Sequence, residues 1–215
     1  MKALIVGNGN ILKYDRFLKY IEFSDYFICC DGGMKYFFEC GIVPDIIIGD
    51  LDSAEKRYID YFKNTNVSFK KFPPEKDFTD MELCLLYVLD LTSELVIDEI
   101  FILGGTGTRF DHSLTNAHIL KKALDRGILA WIIDENNKIC LVDKHIKLSG
   151  HKNDLISLIP FTTEVFGVTT KGLYYSLSEA HMEIGDSIGV SNVMLCEECE
   201  IFVQKGILFV ILTKD

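Results

Sequence analysis

The chain has 215 residues, 48% of them hydrophobic, enough to bury a substantial core and to rule out a disordered polymer. Its formal net charge of -10 rules out a surface built to neutralise nucleic-acid phosphates, which needs clustered Lys and Arg. No apolar stretch approaches the roughly 20 residues of a membrane helix. The opening run Met1-Lys2-Ala3-Leu4-Ile5-Val6 stops at Gly7, too short for a signal sequence, so a soluble cytoplasmic protein with neither a membrane nor a nucleic-acid partner is expected.

In chain order, the runs at 3–7, 26–31, 46–50, 99–105 and 129–134 are short and rich in Ile, Val and Phe, and each reads as a buried strand. Between them, Phe17, Leu18 and Ile21, then Met81, Leu85, Leu86 and Leu89, then Leu114, Ala117, Leu120 and Leu124 recur at helical spacing. Alternating strands and helices predict a parallel, Rossmann-like α/β domain over 1–143. Beyond Val142 the period changes to two, in the runs 154–160, 165–171, 194–203 and 207–212, with turns at Lys171-Gly172, Ile184-Gly185-Asp186 and Lys205-Gly206. A small antiparallel β-sandwich domain over 144–215 is predicted, with the boundary in the polar stretch 143–153.

Seven cysteines form an odd set, and Cys29, Cys30, Cys40, Cys84 and Cys140 sit in apolar runs, as buried reduced thiols do. Cys196 and Cys199 make one C-x-x-C pair, but no second pair completes a four-ligand zinc site. His118, His145, His151 and His181 have no identifiable partners in sequence and are read as surface or core residues.

The chemistry is written at the carboxyl ends of the predicted strands, where open parallel sheets bind ligands. Asp31-Gly32-Gly33 follows the second strand, Gly49-Asp50-Leu51-Asp52-Ser53 the third, and Gly104-Gly105-Thr106-Gly107 the fourth. Asp50 and Asp52 are two residues apart, so an extended backbone would aim both carboxylates the same way, a pairing that suits magnesium against phosphate. The competing reading has Asp52-Ser53 capping a helix that begins near Ala54. Thr79-Asp80-Met81-Glu82 reads as a capped helix start, which accounts for Thr79 and Glu82 but not for Lys76-Asp77 in front of them. The glycines of 104–107 let backbone approach an anion, and Arg109 can fork onto phosphate oxygens, with Asp111, His112 and Asn116 following at a helix start. This is neither a Walker loop nor a dinucleotide fingerprint. Gly7-Asn8-Gly9-Asn10 also follows a strand and fits either a nucleotide pocket or a plain loop.

Taken together, the stretch 30–53, Lys76-Asp77-Phe78-Thr79-Asp80 and the segment 104–116 resemble the thiamin pyrophosphokinase family. The likeness continues through Thr170-Lys171-Gly172-Leu173 and Gly185 to Ser191-Asn192. The resemblance implies transfer of the terminal diphosphoryl group of ATP to the hydroxyl of thiamin, giving thiamin diphosphate and AMP, by attack on the β-phosphorus. It implies Asp50, Asp52 and Asp80 as Mg2+ ligands, with Asp77 or Asp80 orienting or deprotonating the hydroxyl. Lys76 and Arg109 would offset phosphate charge, while Asp31, Gly32, Gly33, Ser53, Gly105, Asp111, His112 and Asn116 line the ATP pocket. A homodimer is implied too, its cleft formed by the α/β domain of one subunit and the β domain of the other, with Ser191 and Asn192 contacting thiamin. Tyr175 stands where many relatives carry Trp, and either stacks on thiamin or packs between strands. The residues themselves leave two alternatives open, a diphosphotransferase acting on another small alcohol and an inactive nucleotide-binding regulator.

Overall fold

A computed structural model describes residues 1–11, 14–52, 54–73, 77–92 and 95–214. The chain forms two compact units, Met1–Glu135 and Asn136–Asp215. Among the described residues no helix is long and apolar enough to cross a membrane.

In the first unit the chain runs β1 (Lys2–Val6), α1 (Tyr14–Glu22), β2 (Tyr26–Cys30), a short 3-10 turn (Asp31–Gly33), α2 (Met34–Glu39), β3 (Ile46–Gly49) and α3 (Lys56–Lys63). It continues through β4 (Ser68–Lys71), α4 (Asp80–Leu91), β5 (Glu99–Leu103), α5 (Phe110–Leu124) and β6 (Leu129–Ile133). The strands are parallel and stand in the order β6-β5-β1-β2-β3-β4. From β1 the chain steps outward through β2, β3 and β4, then returns to place β5 and β6 on the other side of β1. The order therefore reverses beside β1, which opens a crevice at the carboxyl ends of β1, β2 and β5.

Burial explains why these strands were readable. Leu4, Ile5, Ile28, Ile48, Ile100 and Ile102 are fully buried, as expected for strands covered by helices on both faces. β4 escaped the sequence reading because Ser68, Lys70 and Lys71 are exposed on an edge strand, leaving no apolar run. In α4, Thr79 takes an extended conformation and its side chain accepts a hydrogen bond from the N–H of Glu82 at 3.2 Å. The predicted cap is present, and α4 packs on β1, β2 and β3 through Met81, Cys84, Leu85 and Val88.

The second unit contains β7 (Asn137–Val142), β8 (His145–Ser149), β9 (Leu155–Pro160), β10 (Glu164–Lys171), β11 (Ala180–Glu183), β12 (Asn192–Val193), β13 (Glu198–Phe202) and β14 (Leu208–Thr213). Within it, β12-β9-β14-β7 and β11-β10-β13-β8 are two antiparallel layers. Their alternating inward residues, such as Ile156, Leu158 and Val210 in one and Ile146, Val165 and Ile201 in the other, are buried. The expected first domain, 1–143, would include β7, but β7 belongs here, because its whole length pairs with β14. β8 occupies part of the polar stretch read as the boundary; its exposed His145, Lys147 and Ser149 alternate with buried Ile146 and Leu148.

All seven cysteines are free, with Cys29, Cys84 and Cys199 buried and Cys196 exposed. Burial pushes the thiols of Cys29 and Cys84 well up and that of Cys199 to about 11, so none is a ready thiolate. His181, without a partner in sequence, stacks on Phe166 and lies 3.2 Å from Glu164 on the surface of the second unit.

Candidate active site

The crevice has a volume of about 580 Å³, within the ordinary range for a small-molecule site. Five chain segments line it: Asn8 and Gly9 after β1, Cys30 and Asp31 at the end of β2, Asp52 after β3, Thr79, Asp80 and Met81 at the start of α4, and residues 104–109 with His112 and Asn116 around the start of α5.

The acidic wall is a convergence of two strand ends. Carboxylate oxygens of Asp31, Asp50 and Asp52 all lie within 4.8 Å of one another, Asp31 buried, Asp50 half-buried and Asp52 exposed. The route to this arrangement differs from the extended backbone expected from the spacing. Leu51 takes φ 69 and Asp50 Oδ1 accepts the N–H of Asp52 at 3.1 Å, so the segment turns sharply and the carboxylates meet through a bend. The capping alternative for Asp52 fails, since α3 begins at Lys56 and its preceding residue is Glu55. Asp31, read from sequence as a pocket residue, is a third oxygen donor beside Asp50 and Asp52. Nothing in its own neighbourhood in sequence signals this, because the partners come from another strand.

Three hard oxygen donors so close together fit a magnesium ion. Asp80, the other expected ligand, lines the same crevice. Asp77 is exposed and does not line it. Gly32 and Gly33 are buried beneath the wall, and a side chain on Gly32 would collide with that of Asn8. Ser53 and Lys76 lie outside the described residues.

The opposite wall is a glycine loop pinned from beneath. Asn116, buried, donates from Nδ2 to the carbonyl of Gly105 at 2.6 Å; Thr106 Oγ1 donates to Asp134 Oδ2 at 3.0 Å; and Gly107 N–H donates to Ser113 Oγ at 3.2 Å. Asn116 therefore braces the loop as well as lining the crevice, and Asp134 and Ser113 are supports that no motif signals. Arg109 is exposed and forks onto Asp111, from Nε to Oδ1 at 3.2 Å and from a terminal nitrogen to Oδ2 at 2.6 Å. These hydrogen bonds hold the Asp111 carboxyl at about 2 and raise the Arg109 guanidinium. His112 lines the crevice, whereas Asp111 reaches it through Arg109.

Tyr175, Ser191 and Asn192 are in the second unit. Asn192 is only 1% exposed: its Oδ1 accepts from the N–H groups of Tyr175 at 3.0 Å and Val193 at 2.9 Å, and its Nδ2 donates to the Tyr175 carbonyl at 2.7 Å. Its amide holds the backbone that presents Tyr175, a residue 60% exposed, so the reading of Tyr175 as packed between strands is not what the unit displays. Ser191 takes φ 57 and its N–H donates to Ser157 Oγ at 3.0 Å.

The fold and crevice define a two-domain α/β protein with a crevice where the strand order of its first unit reverses. The family model for the catalytic domain of thiamin pyrophosphokinase matches residues 17–132, and that for the vitamin B1 binding domain of thiamin pyrophosphokinase matches residues 143–208. The chain belongs to the thiamin pyrophosphokinase family. It is 29% identical over 199 residues to the thiamine pyrophosphokinase of Bacillus subtilis (strain 168), covering 91% of each chain. It is 28% identical to thiamine pyrophosphokinase 1 of Arabidopsis thaliana, covering 99% of this chain and 86% of the relative. The crystal structure of the Bacillus subtilis thiamine pyrophosphokinase matches it with a TM-score of 0.87 at 26% identity, covering 100% of both chains.

Proposed function

We propose that this chain is an enzyme that transfers the terminal diphosphoryl group of ATP to the hydroxyl of thiamin, forming thiamin diphosphate and AMP. The observation that carries the reading is the meeting of Asp31, Asp50 and Asp52 across from a pinned glycine loop, in a chain of this family. An acidic wall alone would repel a nucleotide. Facing a glycine loop and Arg109, it becomes one side of a site that can clamp phosphates through a cation.

Asp31, Asp50 and Asp52 would hold magnesium, with Asp80 beside them. When bound, the ion would neutralise phosphate charge and orient the β-phosphoryl group for attack. The rest is positioning. The loop 104–107 receives phosphate oxygens on its backbone, and Arg109 leaves Asp111 to fork onto them, exchanging one bidentate partner for another. Lys76, expected to offset phosphate charge as well, belongs to this reading from sequence alone. Asp80 accepts or orients the proton of the attacking hydroxyl; its place on the crevice supports it over Asp77. Asp31, Gly105, His112 and Asn116 shape the nucleotide pocket.

The same reading makes the protein a cytoplasmic homodimer in which Tyr175 of the second unit stacks on thiamin and Asn192 holds it there. The exposure of Tyr174, Tyr175, Ile188, Val190 and Leu195, all in the second unit, supports this. Sedimentation at varied concentration tests the dimer.

Incubation of purified protein with ATP, Mg2+ and thiamin tests the activity. Equal amounts of AMP and thiamin diphosphate are expected, falling at least about a hundredfold in Asp52→Asn. AMP formed with a different alcohol but not with thiamin would reject the acceptor. Nucleotide binding without turnover would leave a regulator.

A further inference from the structure

The wall at Asn8 and Gly9 is held in place by a residue that does not line the crevice. After β1 the chain enters an irregular loop at the point where the sheet changes direction. Gly9 N–H donates to the carbonyl of Gly104 at 2.9 Å, which ties this loop to the glycine loop after β5. A Cβ on Gly9 would stand 2.5 Å from the Gly104 carbonyl oxygen, so the two backbones are already in contact and the loop has no slack on that side.

On the other side stands α2. The hydroxyl of Tyr36 donates to the carbonyl of Gly9 and accepts the N–H of Ile11 at 3.0 Å, while Lys35 Nζ donates to the carbonyl of Asn8 at 3.3 Å. One phenol thus serves both roles available to it, donor and acceptor, on two peptides of one loop. Tyr36 is 4% exposed, and its ring is located by those of Tyr14 and Phe17, with centroids 6.0 and 6.4 Å away. The peptide groups of Gly9 are therefore fixed from both directions, by Gly104 at the N–H and by Tyr36 at the carbonyl.

We infer that Tyr36 is a positioning residue for the nucleotide, acting through Gly9 to keep the crevice wall in its binding shape before ATP arrives. The inference rests on the reading that this crevice takes ATP. Without the hydroxyl, the Gly9 carbonyl and the Ile11 N–H lose their shared partner and the loop samples other conformations, so ordering it becomes part of the cost of binding. Thiamin affinity and the chemical step do not depend on that ordering once ATP is bound.

Tyr36→Phe removes one oxygen and keeps the ring. ATP affinity is measured by calorimetry with Mg2+, and the KM values for ATP and thiamin by turnover. The Kd and KM for ATP are expected to rise about five- to tenfold, with kcat and the thiamin KM within about twofold. Unchanged ATP affinity, or equal rises in both KM values, would overturn the inference; a general loss of structure would move both. If Tyr36→Phe does not fold, Lys35→Met removes the contact to the Asn8 carbonyl together with the ammonium 4.6 Å from the centroid of the Tyr36 ring, and so loosens the same brace. It is expected to raise the ATP KM about two- to threefold with thiamin unaffected, and no change would again overturn the inference. Failure of the unaltered protein to bind ATP would remove the proposed function and this inference together, whereas normal binding by both proteins would remove the inference alone.

Discussion

A Cβ built on Gly49 would stand 2.8 Å from the Cβ of Asp31, so the end of β3 presses on the buried carboxylate of the acidic group. Gly49 also takes φ 151, outside the range that other residues adopt readily. Gly49→Ala is therefore expected to push Asp31 away from Asp50 and Asp52. Turnover should fall at least about tenfold, and the Mg2+ concentration giving half-maximal rate should rise, because a small misplacement in a catalytic site is costly. Titrating AMP release against Mg2+ checks this. A variant with an unaltered Mg2+ midpoint would show that Asp31 is not part of the metal group.

Asp80 and Asp77 are close in sequence but differently placed, Asp80 lining the crevice and Asp77 exposed and not among its lining residues. Asp80→Asn should lower kcat by about a hundredfold or more, while Asp77→Asn should stay within about threefold of the unaltered chain. Equal losses in single-turnover measurements would return Asp77 to the site.

The pairing of Arg109 with Asp111 has a readout in pH. Hydrogen bonds from Arg109 depress the Asp111 carboxyl to about 2 in the folded chain. The stability this pair contributes is therefore present above the ordinary carboxylate pKa and is lost as pH falls from there through about 2. Both side chains are exposed, so salt weakens the effect. Arg109→Gln should bring the Asp111 titration, followed by carboxyl-carbon NMR, back to about 4. A midpoint that does not move would refute the pairing in solution.

Thr79 gives α4 its start by accepting the Glu82 N–H. Thr79→Ala should destabilise the first unit by about 1 kcal/mol, read as a shift in urea midpoint at constant slope, and Thr79→Ser should restore most of it. Because Asp80 is the next residue, kcat should fall with the cap and recover with it. A Thr79→Ala chain as stable as the original would mean the cap is energetically idle.

The buried strands of the first unit, three of its helices and the zones that carry chemistry are local properties, legible along the chain. Buried parallel strands are continuous apolar runs, which made 3–7, 26–31, 46–50, 99–105 and 129–134 readable, and a helix cap is local, which made Thr79 readable. Short-range physics does not reach further. β4 is an exposed edge without an apolar signature, and the turn at Leu51 depends on packing that no spacing rule encodes. Asp31 meets Asp50 and Asp52 because β2 and β3 are neighbours in the sheet. Gly9 meets Gly104 because β1 and β5 are neighbours, although many residues separate them along the chain. Asp134 under Thr106, Asn192 behind Tyr175 and Tyr36 behind Gly9 are likewise decided by tertiary structure, since each satisfies a backbone or side-chain group brought to it by the closing of the fold.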